Sequence, residues 1–165
     1  MIQADGAAFL INFGLAQLFR DPGTHIHIPY STNCSIVGTL PFTSINGQQG
    51  HAQSHRDDLE SLAYTIIFSA RGDLPWACLS DCEAILQKKL STTEEELCVG
   101  LPTPFHEFIS HVRALGFSQK PDYQYLHSIL LQCSQWETNM ETNMPDKALT
   151  PSNSCACPTV ISDQM

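Results

Sequence analysis

The chain has 165 residues, 42% of them apolar, and its eight Lys and Arg stand against 17 Asp and Glu for a formal net charge of -9. That length supports one domain with a genuine core, and so acidic a balance argues against nucleic acid or an anionic membrane surface as a partner. Seven cysteines, odd in number and irregularly spaced behind a start with no basic-plus-apolar leader, argue against a secreted disulfide framework and for reduced thiols in cytosol or nucleus.

Residues 1–6 form a lead-in without period that ends in the turn signal Asp5-Gly6, after which 7–11 (Ala-Ala-Phe-Leu-Ile) reads as a short buried strand. From Asn12 to Gln53 the chain is rich in Gly, Pro, Ser, Thr and Asn with little periodicity, a length of irregular chain that is unusual unless functional. A helix is expected over 54–71. Ser54 and Asp57 have the spacing of a capping box, and Asp57, Asp58 and Glu60 suit the positive end of the helix dipole. Leu59, Leu62, Ala63, Ile66 and Ala70 recur at helical spacing, with Tyr64, Ile67 and Phe68 adding to the apolar circumference, so this helix should be central. Ile66→Ala is then expected to cost about 2–5 kcal/mol. Arg71, Gly72 and Pro75 are exit signals. Thr65 and Ser69 interrupt the apolar run, which is too short to span a bilayer. Further helices are expected over 79–89, 104–115 and 121–133, the last two opening on Pro. From Ser134 the chain turns polar, repeats Glu-Thr-Asn-Met at 137–140 and 141–144, and carries Pro145, Pro151 and Pro158, so 134–165 reads as a disordered tail.

The stretch from Gln53 to Leu62, followed by Arg71-Gly72-Asp73-Leu74-Pro75-Trp76, resembles the central helix of casein kinase 1 protein kinases. Upstream, Asn12-Phe13-Gly14-Leu15-Ala16 is similar to the metal-binding Asp-Phe-Gly segment. Arg20-Asp21, Thr24, His27-Ile28-Pro29-Tyr30, Gly38-Thr39 and Ser44-Ile45-Asn46 follow in the family's order. Downstream come Lys88-Lys89, Ser91-Thr92, Glu96-Leu97-Cys98 and Lys120-Pro121-Asp122-Tyr123. The resemblance covers residues 7–133. It implies a mainly α fold, a protein-kinase-like C-lobe (large lobe) fragment with a short N-terminal strand and a long activation segment, the N-lobe being absent. Phe13, Gly14 and Thr39 would belong to that activation segment.

Kinases hold the magnesium ions that bridge the nucleotide phosphates with an Asp where this chain has Asn12. An amide oxygen can ligate a hard cation but lacks the full charge of a carboxylate; Asn12 would also suit a plain turn after a strand. Eleven residues precede Asn12, too few for the Gly-rich loop, strand lysine and His-Arg-Asp loop that the family places there. His55-Arg56-Asp57 spells the last of these, but Ser61 stands where its Asn is required. Asp58 matches the family aspartate that braces the catalytic loop, and without that loop it is expected to revert to a helix-anchoring, capping role. At three positions where the family usually carries a cation this chain has Ser31, Pro41 and Ser80, each a lost charge-assisted anchor for an acidic or phosphorylated substrate.

No zinc pattern emerges from Cys78 and Cys82, Cys155 and Cys157, or His25 and His27. Cys34, Cys98 and Cys133 read as small hydrophobes, and Trp76 as packing. The expected function is that of a degenerate, pseudokinase-like interaction module, inactive on its own. The alternative is part of an active ATP-dependent serine/threonine kinase whose N-lobe lies outside these residues. No cofactor is expected for this chain alone, ATP and magnesium belonging to the family. A protein partner is expected, its identity open, with a homodimer or a complementing N-lobe as the two candidates.

Overall fold

The computed structural model describes residues 13–141, with side chains through residue 133. The expected strand over 7–11, Asn12 and residues 142–165 lie outside the described residues. The chain divides into two units after Tyr30.

In the first unit, Phe13–Leu15 form a single 3-10 turn. A tight loop follows, closed by Asp21, whose Oδ1 accepts from the Gly23 and Thr24 amides at 2.9 and 2.7 Å and from the Thr24 hydroxyl at 2.9 Å. Those Thr24 and Gly23 hydrogen bonds hold the Asp21 carboxyl below its usual range. The loop brings Arg20 and His27 together in an isolated antiparallel bridge.

The second unit holds six helices among its described residues: α1 (Ile45–Gln48), α2 (His55–Arg71), α3 (Cys82–Ser91), α4 (Glu94–Leu97), α5 (Thr103–Arg113) and α6 (Tyr123–Glu141). The architecture is helical, as expected, and the four longer helices lie where periodicity places them. Helix α2 begins on the expected capping box, with Ser54 N–H donating to Asp57 Oδ2 at 2.8 Å, and ends on Gly72 at φ 77°, a left-handed cap that glycine adopts without penalty. Helix α3 starts later than the expected 79 because Asp81 caps it, accepting from Ala84 N–H at 2.8 Å. Helices α1 and α4, one turn each, escape a periodicity search; Ser44 and Thr93 cap them. Helix α6 continues past Ser134 to Glu141.

The core lies where α5 packs between α2 and α6. Helix α5 contributes Phe105, Phe108, Ile109 and Val112, a clean stripe at helical spacing, and meets Ile67 of α2 and Leu126 and Ile129 of α6. The buried residues of α2 are Asp57, Leu59, Glu60, Ala63, Tyr64 and Ile67; Leu59 and Ala63 belong to the expected stripe, and Ile66 and Ala70 pack against the core partly buried. Leu62 is 40% exposed and Ile66 only partly buried, whereas Ile67 is 1% exposed. Ile66 packs against the core from a partly buried position, and Ile67 is the more deeply buried of the two. Glu60 is buried on the same helix, which a hydrophobicity pattern would assign to solvent. An apolar crevice beside Ile66, lined by Ala63, Phe105, Phe108, Leu130 and Cys133, has room for about one water molecule. Among the described residues no helix is long and apolar enough to cross a membrane.

Candidate functional site

The irregular segment between Ser31 and Gln53 is tied to the helices by polar groups rather than by apolar burial. Two backbone bonds close its base: Ala52 N–H donates to Ser31 O and Cys34 N–H to Gly50 O, both at 2.8 Å. Gly50 sits at φ 75°, with Cys34 O only 3.0 Å from where a Cβ would project, so a side chain there would be strained and crowded. Above this base the chain turns at Thr39, whose carbonyl accepts from the Phe42 and Thr43 amides, and then enters α1.

Three side chains of the helical body grip that turn. Lys89 of α3 is fully buried, and its Nζ donates to Leu40 O at 2.7 Å, Thr43 O at 2.6 Å and Gln48 Oε1 at 2.9 Å. The same ammonium lies 5.4 Å from the Tyr64 ring centroid and 5.6 Å from that of Trp76, within cation–π range. Burial pulls Lys89 down to about 8, against the attraction of Glu60 and Cys82, which favours its charged form. Trp76 Nε1 donates to Pro41 O at 2.8 Å. Asp57 of α2, also fully buried, accepts from Ser44 Oγ at 2.8 Å while it caps its own helix.

Behind this contact the network continues through α2. Tyr64 donates to Glu60 and accepts from Arg113 at 3.2 Å. Glu60 Oε1 also accepts from Ile45 N–H at 3.3 Å, and Arg113 reaches Glu94 at 3.0 Å. Burial pushes the Glu60 carboxyl up, outweighing Tyr64, Arg113 and the Ile45 amide, which favour its charged form. The Tyr64 hydroxyl is pushed up chiefly by burial as well, and then by the neighbouring Glu60.

The residues singled out from sequence are placed as follows. Thr39 is exposed at the turn and Pro41 half-buried beside it, its carbonyl engaged by Trp76; Ser31 is exposed at the base and Ser80 exposed before α3. Among the described residues no hydrogen bond or ring contact joins Ser31, Pro41 and Ser80. Phe13 and Gly14 are exposed in the first unit. Asp58 is not the helix anchor: its side chain is exposed and its carboxylate takes no hydrogen bond among the described residues, while Asp57 takes that role. The third helical residue is the one whose side chain can reach back to the cap amide, and that residue is Asp57. Partial burial, followed by the Asp57 charge, nevertheless raises the Asp58 carboxyl. Trp76 packs as expected, fully buried, and adds its hydrogen bond.

Cys98 and Cys133 are buried, and desolvation raises both thiols. Cys34, read with them as a small hydrophobe, is exposed instead, its amide held by Gly50 O. Lys89, Gln48, Glu60 and Arg113 were not anticipated as a network. One sign was available for Lys89, which lies four residues after Ile85 and so on the apolar side of α3. Among the described residues no group of three or more His, Cys, Asp or Glu is placed to hold a metal ion.

No family model matches the chain. Casein kinase I homolog 2 of Schizosaccharomyces pombe is 42% identical over 127 residues, a match that covers 73% of this chain and 29% of that protein. The chain thus spans less than a third of the length of this relative. The motifs in their order, the helical structure and this identity lead to one conclusion: the chain belongs to the casein kinase 1 family.

Proposed function

We propose that these residues fold as the large-lobe part of a casein kinase 1-type domain and serve as a non-catalytic, pseudokinase-like interaction module. The observation that carries the reading is Asn12 immediately before Phe13-Gly14, where phosphoryl transfer calls for a carboxylate on magnesium. Ser31, Pro41 and Ser80 support it, since none offers a cation to an acidic or phosphorylated substrate. The segment over 39–48, by contrast, keeps a complete set of anchors and presents Thr39 to solvent. A module of this kind binds protein, whether a second copy or a complementing N-lobe, in cytosol or nucleus, and uses no cofactor of its own.

The 29% coverage of the relative favours a second reading, in which these residues are one part of a longer, ATP-dependent serine/threonine kinase. Thermal unfolding of the 165-residue chain with and without ATP and magnesium separates the two questions. No shift in midpoint is expected. Nucleotide held at a hundred times its Kd would add about 2.7 kcal/mol, and a magnesium-dependent rise of that order would overturn the non-catalytic reading. Activity that appears only when coding sequence upstream of Met1 is included would establish the second.

A further inference from the structure

Lys89 is the one lysine among the described residues that is completely buried, and its three N–H donors meet three oxygens, all from one short stretch of chain. Leu40 O and Thr43 O belong to the turn, and Gln48 Oε1 to α1. An ammonium has three donors and no acceptor, so the acceptor set matches it in number and kind. Gln48 is itself held to α3, its Nε2 donating to Cys82 O at 2.7 Å, which aims Oε1 at Lys89. The apolar anchorage of the same stretch is slight: Leu40 and Phe42 are only partly buried, Phe42 meeting Phe68 edge-on at 5.5 Å. The helices α2, α5 and α6 hold one another through an apolar core that Lys89 meets at the rings of Tyr64 and Trp76.

We propose that Lys89 is a latch: its ammonium couples the 39–48 segment to α3, and its loss releases that segment as a unit while α2, α5 and α6 stay folded. The groups around it fit a role in coupling. Glu60 and Tyr64 face it from α2, with Arg113 of α5 beyond them, and Cys82 lies on its own helix. The segment itself offers Lys89 oxygens and no titratable side chain. The latch stands apart from the interaction-module reading, because it concerns the conformation of 39–48 whether or not that face meets a partner. It makes Lys89 a positioning residue for Thr39 and Pro41.

The test is amide hydrogen exchange on the full chain, comparing wild type with Lys89→Met, which keeps the length of the side chain and removes its donors. The amides of Phe42, Thr43 and Gln48, bonded to Thr39 O and Ser44 O, are expected to exchange at least roughly tenfold faster, with those of Ile67 and Ile109 changed by less than about threefold. Equal acceleration of all five, or of none, would overturn the latch. If Lys89→Met does not fold, Gln48→Met, which removes one acceptor and one tether, gives the same comparison with the same two readings. A chemical rescue adds a second readout: in Lys89→Ala, millimolar propylammonium should slow exchange at 42, 43 and 48 selectively, whereas failure to do so in a folded variant counts against the cage.

Discussion

Helix α2 has two sides that are held in different ways. Toward α5 and α6 it meets apolar side chains, and toward the 39–48 segment it meets a cage built from Ser44, Gln48, Asp57, Glu60 and Lys89. The apolar side gains from area removed from water, is not directional, and tolerates exchange of one side chain for another of similar volume. The polar side gains little per hydrogen bond but loses heavily when one partner is removed, because the others stay buried and unsatisfied. The first arrangement makes a stable body; the second holds a loop in one shape.

The comparison breaks most severely at Phe108. Phe108→Ala should cost about 3–5 kcal/mol, read as a lower urea midpoint with the whole unit unfolding together; a loss below about 1 kcal/mol would show that α5 does not carry the core. On the polar side Asp57→Asn should cost about 1–3 kcal/mol, since the amide can replace only one of the acceptors serving Ser44 and the Ser54 amide. A smaller effect, with a sign that depends on pH, separates two glutamates of the network. Burial holds the Glu60 carboxyl above its ordinary value, so its stabilising contribution is complete below the unfolded value of about 4.3 and is lost as pH rises through the folded one. Glu94 is the reverse. Burial works against it, but the Arg113 hydrogen bond and its own backbone contact hold it low, so its contribution is present above the unfolded value and lost as pH falls. Stability relative to Glu60→Gln should therefore decrease from pH 4 to pH 7, and relative to Glu94→Gln should increase. Two slopes of the same sign would show that the network does not divide this way. Asp58→Asn, on an exposed carboxylate one residue from Asp57, should change stability by less than about 0.5 kcal/mol. An effect as large as that of Asp57→Asn would restore Asp58 as the anchor.

Much of this molecule is legible in the order of its residues. Capping boxes, terminal glycine and the stripe of α5 act within one or two turns of chain, so Ser54, Asp57, Gly72 and the Phe105 to Val112 pattern announce the helices directly. The family is equally legible, because its motifs are local strings in a set order. What tertiary structure decided is which charges go inside. Glu60 and Lys89 are separated by most of α2, the connection after it and most of α3, and apart from the place of Lys89 on the Ile85 side of its helix nothing within a few residues marks either as buried. Ile66 and Ile67 are indistinguishable by composition, and only the direction in which Glu60, Tyr64 and Arg113 meet chooses between them. Local propensity is a property of neighbours along the chain. A buried charge is acceptable only where partners from distant segments converge on it, and that convergence exists only once the chain has folded.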